Sequence, residues 1–228
     1  DPLWSRGLGD VYKRQEAYVG LSVGNQLVDK LDNNSPMDHA SFLQPAIKEI
    51  CKKNGYPLSS IHAVSVINGP GSYTGLRVGL SAAKGICYSM NIPLICINTL
   101  EWLACSTEIK NPDLVCSMID ARRMEVYTAV YDDQLKSLLE PTALILDENS
   151  FQDLLSNHQI SFVGNGSTKW KSISSHPHAI FPESSSSIEN QIKLTLKHWS
   201  HEAFSDIAYT EPFYVKDFFS PSLYAKKQ

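Results

Sequence analysis

Apolar residues recur along this chain with two periods, and the periods predict its elements. Residues 17–22 and 26–30 alternate about a Gly24-Asn25 pair, the pattern of a β-hairpin. Asn33, Asn34, Ser35 and Pro36 then mark a loop. From residue 39 to 54, Phe42, Leu43, Ala46, Ile47, Ile50 and Cys51 recur at helical spacing, and Gly55 with Pro57 ends the amphipathic helix they predict. Short apolar runs predict strands at 63–67, 93–97, 114–119, 125–131, 144–146 and 160–163. Helices are expected at 74–90, 99–106, 149–156 and 188–200, a loop at the serine run 184–187, and an extended segment at 212–216. Strands and helices alternate on both sides of Asn111-Pro112-Asp113, so the expected fold is α/β in two lobes, 16–110 and 111–228. The C-terminal segment is expected to pack back on the first lobe. Residues 1–15 show no period and mix Trp4, glycines and charge, and they are set apart as a foreign leader.

The stretch from Val64 to Met90 joins a β-branched run to a glycine-rich turn that opens into a helix of small residues. Gly69, Pro70, Gly71 and Ser72 break regular structure, since glycine permits positive φ while proline fixes its own and offers no donor. Ser72 or Thr74 is available as N-cap, which aims backbone N–H groups and a positive helix end out of the turn. Such a corner, with Gly75 and Arg77 on its first turn, either holds an anion or serves only as tight geometry. No Lys-Ser/Thr pair follows Gly69, so it is not a Walker A loop, and the glycines miss G-x-G-x-x-G. The helix is apolar nearly all round, through Leu76, Val78, Leu80, Ala82, Ala83, Ile86 and Cys87. That distribution calls for two packing partners, the sheet and a second helix or subunit.

At 228 residues the chain has room for a substantial core, and a net charge of −4 disfavours a stand-alone nucleic-acid binder. No apolar run approaches the roughly 18 residues that span a bilayer, and no signal peptide is evident. The cysteines 51, 87, 96, 105 and 116 are odd in number and form no CxxC, which points to reduced thiols in a cytoplasm.

Five motifs stand in order along residues 16–218: GPGSYTGLRVGLSAAKG from Gly69, PLICINTLEWLA from Pro93, DARRMEVYTAVY from Asp120, GNG from Gly164 and EPFYVKDF from Glu211. In these the chain resembles the TsaB (YeaZ) family, the dimerisation subunit of the bacterial machinery that makes N6-threonylcarbamoyladenosine in tRNA. The resemblance implies a two-lobed actin/Hsp70/sugar-kinase-like fold without transferase activity of its own. It implies pairing with a TsaD-like catalytic subunit alongside a TsaE-like ATPase, with tRNA reached indirectly through the complex and a homodimer when the chain is alone. No cofactor is expected to bind tightly; ATP or ADP is expected at the assembled complex. Family pairing uses helices of the first lobe, which puts Leu43, Ile47, Leu76, Leu80, Ala83 and Cys87 at the expected interface. The family's first strand is missing from the letters, residues 1–15 stand in its place, and the neighbouring strands are therefore expected to carry unpaired backbone groups and to lower stability.

Candidate chemistry is sparse. The resemblance implies that the catalytic relative binds metal through H-x-x-x-H, but here His39 is followed by Leu43 at the second position, so no metal site is expected. The pairs His176/His178 and His198/His201 read as surface residues. Asp120, ahead of Arg122, Arg123 and Glu125, is either a general base or the cap of a turn, and the turn is favoured. Arg77 and Lys84 are the cations nearest the glycine corner. No catalytic residue is assigned. The leading expectation is a non-catalytic scaffold subunit; the rival is an autonomous ATP-dependent enzyme of this fold, or a peptidase-like protein.

Overall fold

Alternating patterns build two sheets. A computed structural model describes residues 2–6, 8–11, 14–33, 39–105, 113–182 and 187–216. The first sheet holds β1 (Pro2–Arg6), β2 (Leu8–Val11), β3 (Arg14–Val23), β4 (Gln26–Asn33), β5 (Ala63–Gly69) and β6 (Leu94–Asn98). The predicted hairpin is β3–β4, turning at Gly24 with φ 56°. The second sheet holds β7 (Leu114–Asp120), β8 (Glu125–Tyr131), β9 (Ser137–Ile145), β10 (Ile160–Val163) and β11 (Ala179–Ile180).

The expected gap in the first sheet is not there. β1 runs antiparallel to β3 from Pro2↔Val23 to Ser5↔Gly20, and parallel to β5 from Leu3↔Ala63 to Arg6↔Val66. A ladder is made of backbone N–H and C=O groups, which a segment without hydrophobic period still carries. With β1 in place the two sheets share one plan. In the order β4-β3-β1-β5-β6 the central strand has an antiparallel neighbour on one side and a parallel one on the other, and β9-β8-β7-β10-β11 repeats both order and sense. The fold is thus a duplicated α/β unit. No residue repeat marks it, because the copies share strand pairing rather than side chains.

Helices α1 (His39–Lys53) and α2 (Tyr73–Met90) cover one face of the first sheet, laying Leu43, Ile50, Leu80 and Ile86 on Leu21, Val64, Val66 and Leu94. The other face is covered by α6 (Ile188–Ser200), whose Ile188, Ile192 and Leu194 meet Ala63, Ile67, Ile95 and Ile97. α3 (Thr99–Ala104) leaves β6 of the first sheet and packs Leu100 and Leu103 on Val115, Ile119 and Val163 of the second, joining the lobes. α4 (Gln152–Leu155) and α5 (Ser167–Ile173) close the far face, where Trp170, Phe162 and Leu155 are buried.

Several bounds differ from the expectation. β9 is longer than residues 144–146, α4 is shorter than 149–156, and α5 and β11 had no period to reveal them because they are only a turn or two long. Asn34 to Pro36, Asn111, Pro112 and Ser184 to Ser186 lie outside the described residues. Among the described residues no helix is long and apolar enough to cross a membrane.

A buried polar chain fixes α6. The Tyr18 hydroxyl donates to Gln191 Oε1 at 2.7 Å, Gln191 Nε2 donates to Ser65 Oγ at 3.1 Å, and Thr195 Oγ1 donates to the same Ser65 oxygen at 2.9 Å. Burial, reinforced by Asp32 and Glu189, pushes the Tyr18 phenol well up, so it remains a donor. Tyr18→Phe removes the donor to a buried acceptor and is expected to cost about 1–3 kcal/mol in urea unfolding; no loss would mean that apolar packing alone holds α6.

Candidate functional site

The glycine corner is built where β5 ends. Gly69 has φ 125°, and a Cβ there would run into the Phe213 carbonyl oxygen and lie 3.1 Å from Leu76 Cδ1. The Gly69–Pro70 peptide is cis. Ser72 caps α2, its Oγ accepting from the Gly75 N–H at 3.4 Å while its carbonyl accepts from the Leu76 N–H at 2.8 Å. Gly71 and Thr74 are exposed, and Gly75 is buried. Above the corner passes the C-terminal segment: the Phe213 N–H donates to the Asn68 carbonyl at 2.8 Å. Arg77 Nε donates to the Tyr214 hydroxyl at 3.1 Å, and the guanidinium lies 4.1 Å from the centre of the Tyr73 ring. Lys84 Nζ donates to the carbonyls of Ala208 at 3.2 Å and Thr210 at 2.9 Å. Both cations singled out in the sequence therefore hold the chain's own C-terminal segment, and the space beside Gly69 is filled by backbone.

The residues expected at the interface lie inside the first lobe. Leu43, Ile47, Leu76, Leu80, Ala83 and Cys87 are all buried within the first lobe. Leu76, Gly79, Leu80, Ala83, Ile86 and Cys87 form one stripe at helical spacing, and Val78 and Ala82 flank it, half-buried against the same core. One sheet face thus absorbs the apolar excess that suggested a second partner. The outward face of α2 carries Arg77, Ser81, Gly85 and Tyr88 instead, and Tyr88 is 81% exposed. A groove of about 920 Å³ runs along α1, between Pro45, Ile47 and Cys51 and the residues Tyr56 and Leu58 that follow the helix, with Lys48 and Lys52 also lining it. Only Ile47 of the six reaches this groove.

In the second lobe Asp120 closes a turn. Its Oδ1 accepts from Lys169 Nζ at 2.8 Å and from the Arg122 N–H at 2.7 Å, and its own N–H donates to Asn165 Oδ1 at 2.9 Å. Arg122 and Arg123 take positive φ, 72° and 50°. This is the cap of a turn. Partial burial by itself would raise the carboxyl, but the Lys169 ammonium and the Arg122 N–H outweigh it and hold Asp120 below the usual carboxylate range. A depressed folded-state pKa stabilises above the unfolded value near 3.9 and is lost as pH falls through the folded one. Acid unfolding profiles are therefore expected to show Asp120→Asn losing stability at neutral pH and falling less steeply than the parent below about pH 4; parallel curves would count against the ion pair.

Two thiols and two imidazoles elsewhere are held within the fold. Burial pushes the thiols of Cys87 and Cys116 up to about 12, so neither is a thiolate at neutral pH. His178 Nδ1 lies 2.8 Å from the Leu155 carbonyl, and His198 Nε2 lies 3.2 Å from Glu101 Oε2. Among the described residues no group of three or more His, Cys, Asp or Glu is placed to hold a metal ion. His39 starts α1, and its side chain lies outside the described residues. Phe213, Tyr214, Lys169 and Lys216 shape both halves of the site without having been singled out individually; EPFYVKDF marked the C-terminal stretch as a motif but not what it touches.

Two lobes with the same five-strand order in each have the fold of the actin/Hsp70/sugar-kinase-like class. A family model described as "TsaD: tRNA N6-adenosine threonylcarbamoyltransferase" matches residues 34–210, and the chain belongs to that family. The Escherichia coli K12 tRNA threonylcarbamoyladenosine biosynthesis protein TsaB is 26% identical over 195 residues, 80% of this chain and 82% of the relative. The Bacillus subtilis protein of the same name is 33% identical over 94 residues, 41% of each chain. The structure titled YeaZ from Pseudomonas aeruginosa superposes with a TM-score of 0.75 at 20% identity, covering 93% of this chain and 99% of that one.

Proposed function

We propose that this chain is a non-catalytic dimerisation and scaffold subunit. It pairs with a TsaD-like catalytic subunit and supports threonylcarbamoyl transfer to adenosine 37 of tRNA. A TsaE-like ATPase joins the assembly, ATP or ADP sits at the joint complex rather than tightly on this chain, and tRNA is reached through the partners. Alone, the chain forms a homodimer. The observation that carries the reading is the outward face of the first-lobe helices. Tyr88 stands 81% exposed on α2, and an apolar groove lined also by Lys48 and Lys52 runs along α1. An exposed aromatic on one helix and an apolar groove along the other both suit a partner surface, and the lysines of the groove favour an acidic edge on the partner. The filled Gly69 corner supports a subunit that positions rather than reacts.

Reconstitution tests this. Omitting the chain is expected to abolish most tRNA modification by the TsaD-like and TsaE-like proteins, and full rate without it would refute the reading, as would ATP turnover by the chain alone. Tyr88→Glu is expected to weaken pairing with the TsaD-like subunit at least about tenfold, roughly 1.4 kcal/mol, by calorimetric titration; unchanged affinity would place the interface elsewhere.

A further inference from the structure

The segment after α6 touches both lobes. The Ser205 N–H donates to the Leu94 carbonyl at 2.8 Å, and Ser205 Oγ accepts from the Cys96 N–H at 3.2 Å, so the segment begins along the edge of β6. Lys84 then holds it by two carbonyls, Asn68 by the Phe213 N–H, and Arg77 by the Tyr214 hydroxyl. At its end Lys216 forms an ion pair with Glu125, the first residue of β8 in the second lobe. The Glu125 carbonyl accepts in turn from Lys169 at 3.1 Å, and Lys169 pairs with Asp120. One run of chain therefore ties the edge of the first sheet, the glycine corner and the turn of the second lobe.

None of residues 201–216 is buried, and Tyr209 is 84% exposed. The segment is held mainly by polar contacts at or near the surface, and its apolar contacts are shallow: Ile207 is half-buried against the first-lobe core and the Tyr214 ring lies 5.6 Å from the Tyr73 ring. Such a segment opens at lower free energy than the sheets beneath it. We propose that residues 205–216 form an interlobe latch. Closed, the latch covers the Gly69 corner and couples α2 to the Asp120–Glu125 turn; open, it uncovers the corner and frees the lobes from this tie. The glycine at position 69 is then a seat for the Phe213 carbonyl, since any side chain would lift the segment off.

Hydrogen exchange on the full chain tests the latch from both ends. Lys84→Met cuts the first-lobe clasp and Lys216→Met cuts the second-lobe pair. Each variant is expected to speed exchange at least tenfold at the Phe213 amide and also at the Ala121 and Glu125 amides, whose bonds close the distant turn. The central strands β7 and β10 should be unchanged. Acceleration confined to the mutated end, or none at all, overturns the proposal and leaves two unconnected surface contacts. If Lys84→Met loosens β5 as well, Lys216→Met, whose target lies on the surface, decides alone.

Discussion

Gly164→Ala is expected to lower the melting temperature by roughly 6–12 °C, the equivalent of about 3 kcal/mol in a chain of this size. Gly164 ends β10 with φ 87°, a backbone conformation that costs any L side chain. Space is lacking as well. A Cβ would strike the Met118 carbonyl oxygen in the central strand β7 and lie 3.2 Å from Leu103 Cδ1, so either β7 or α3 must shift. Gly24→Ala is the internal comparison: φ is 56° there, but nothing lies within 4 Å of the added carbon. It is expected to cost only the backbone term, about 1–2 kcal/mol. Thermal unfolding followed by circular dichroism decides, and a Gly164 variant no less stable than the Gly24 variant would refute the close approach.

Trp170→Ala is expected to destabilise by about 3–5 kcal/mol. The indole is 1% exposed, with the Phe151 ring centre 5.7 Å away and the Phe162 ring centre 6.0 Å away. Its removal opens a cavity between α5 and the second sheet that rigid strands cannot collapse to fill. The effect should reach the turn, because Trp170 neighbours Lys169 on the same short helix and Lys169 holds Asp120. The Trp170 variant is therefore expected to show a shallower acid limb, as Asp120→Asn does. Urea unfolding at neutral and acid pH measures both; a loss below about 1 kcal/mol would contradict the packing described.

Local chemistry made much of this visible in advance. The β3–β4 hairpin needed only an alternating pattern about Gly24-Asn25. α6 was readable to the residue because Ser187 caps it, its Oγ accepting from the Asn190 N–H at 3.4 Å ahead of an amphipathic run. The Asp120 turn was readable as a cap, since an aspartate side chain reaches the N–H two residues on. That the expected interface residues are buried in the first lobe was not legible for an equally physical reason: apolar content around α2 counts methyl groups but does not say which stripe meets the sheet. β1 was missed because a central strand can be held by its backbone without any side-chain period.

The sequence by itself determined the α/β alternation, the capped helix after the glycine corner, the turn at Asp120 and, through five ordered motifs, the family. These rest on interactions within a few residues, where spacing and side-chain chemistry suffice. Tertiary structure alone decided that β1 completes the duplicated sheet, that α6 returns to the first lobe, and that Phe213 closes the corner at Gly69. Each of these joins residues far apart in the chain, and periodicity reveals that a surface is apolar, or that a glycine is present, without revealing which distant backbone will be packed against it.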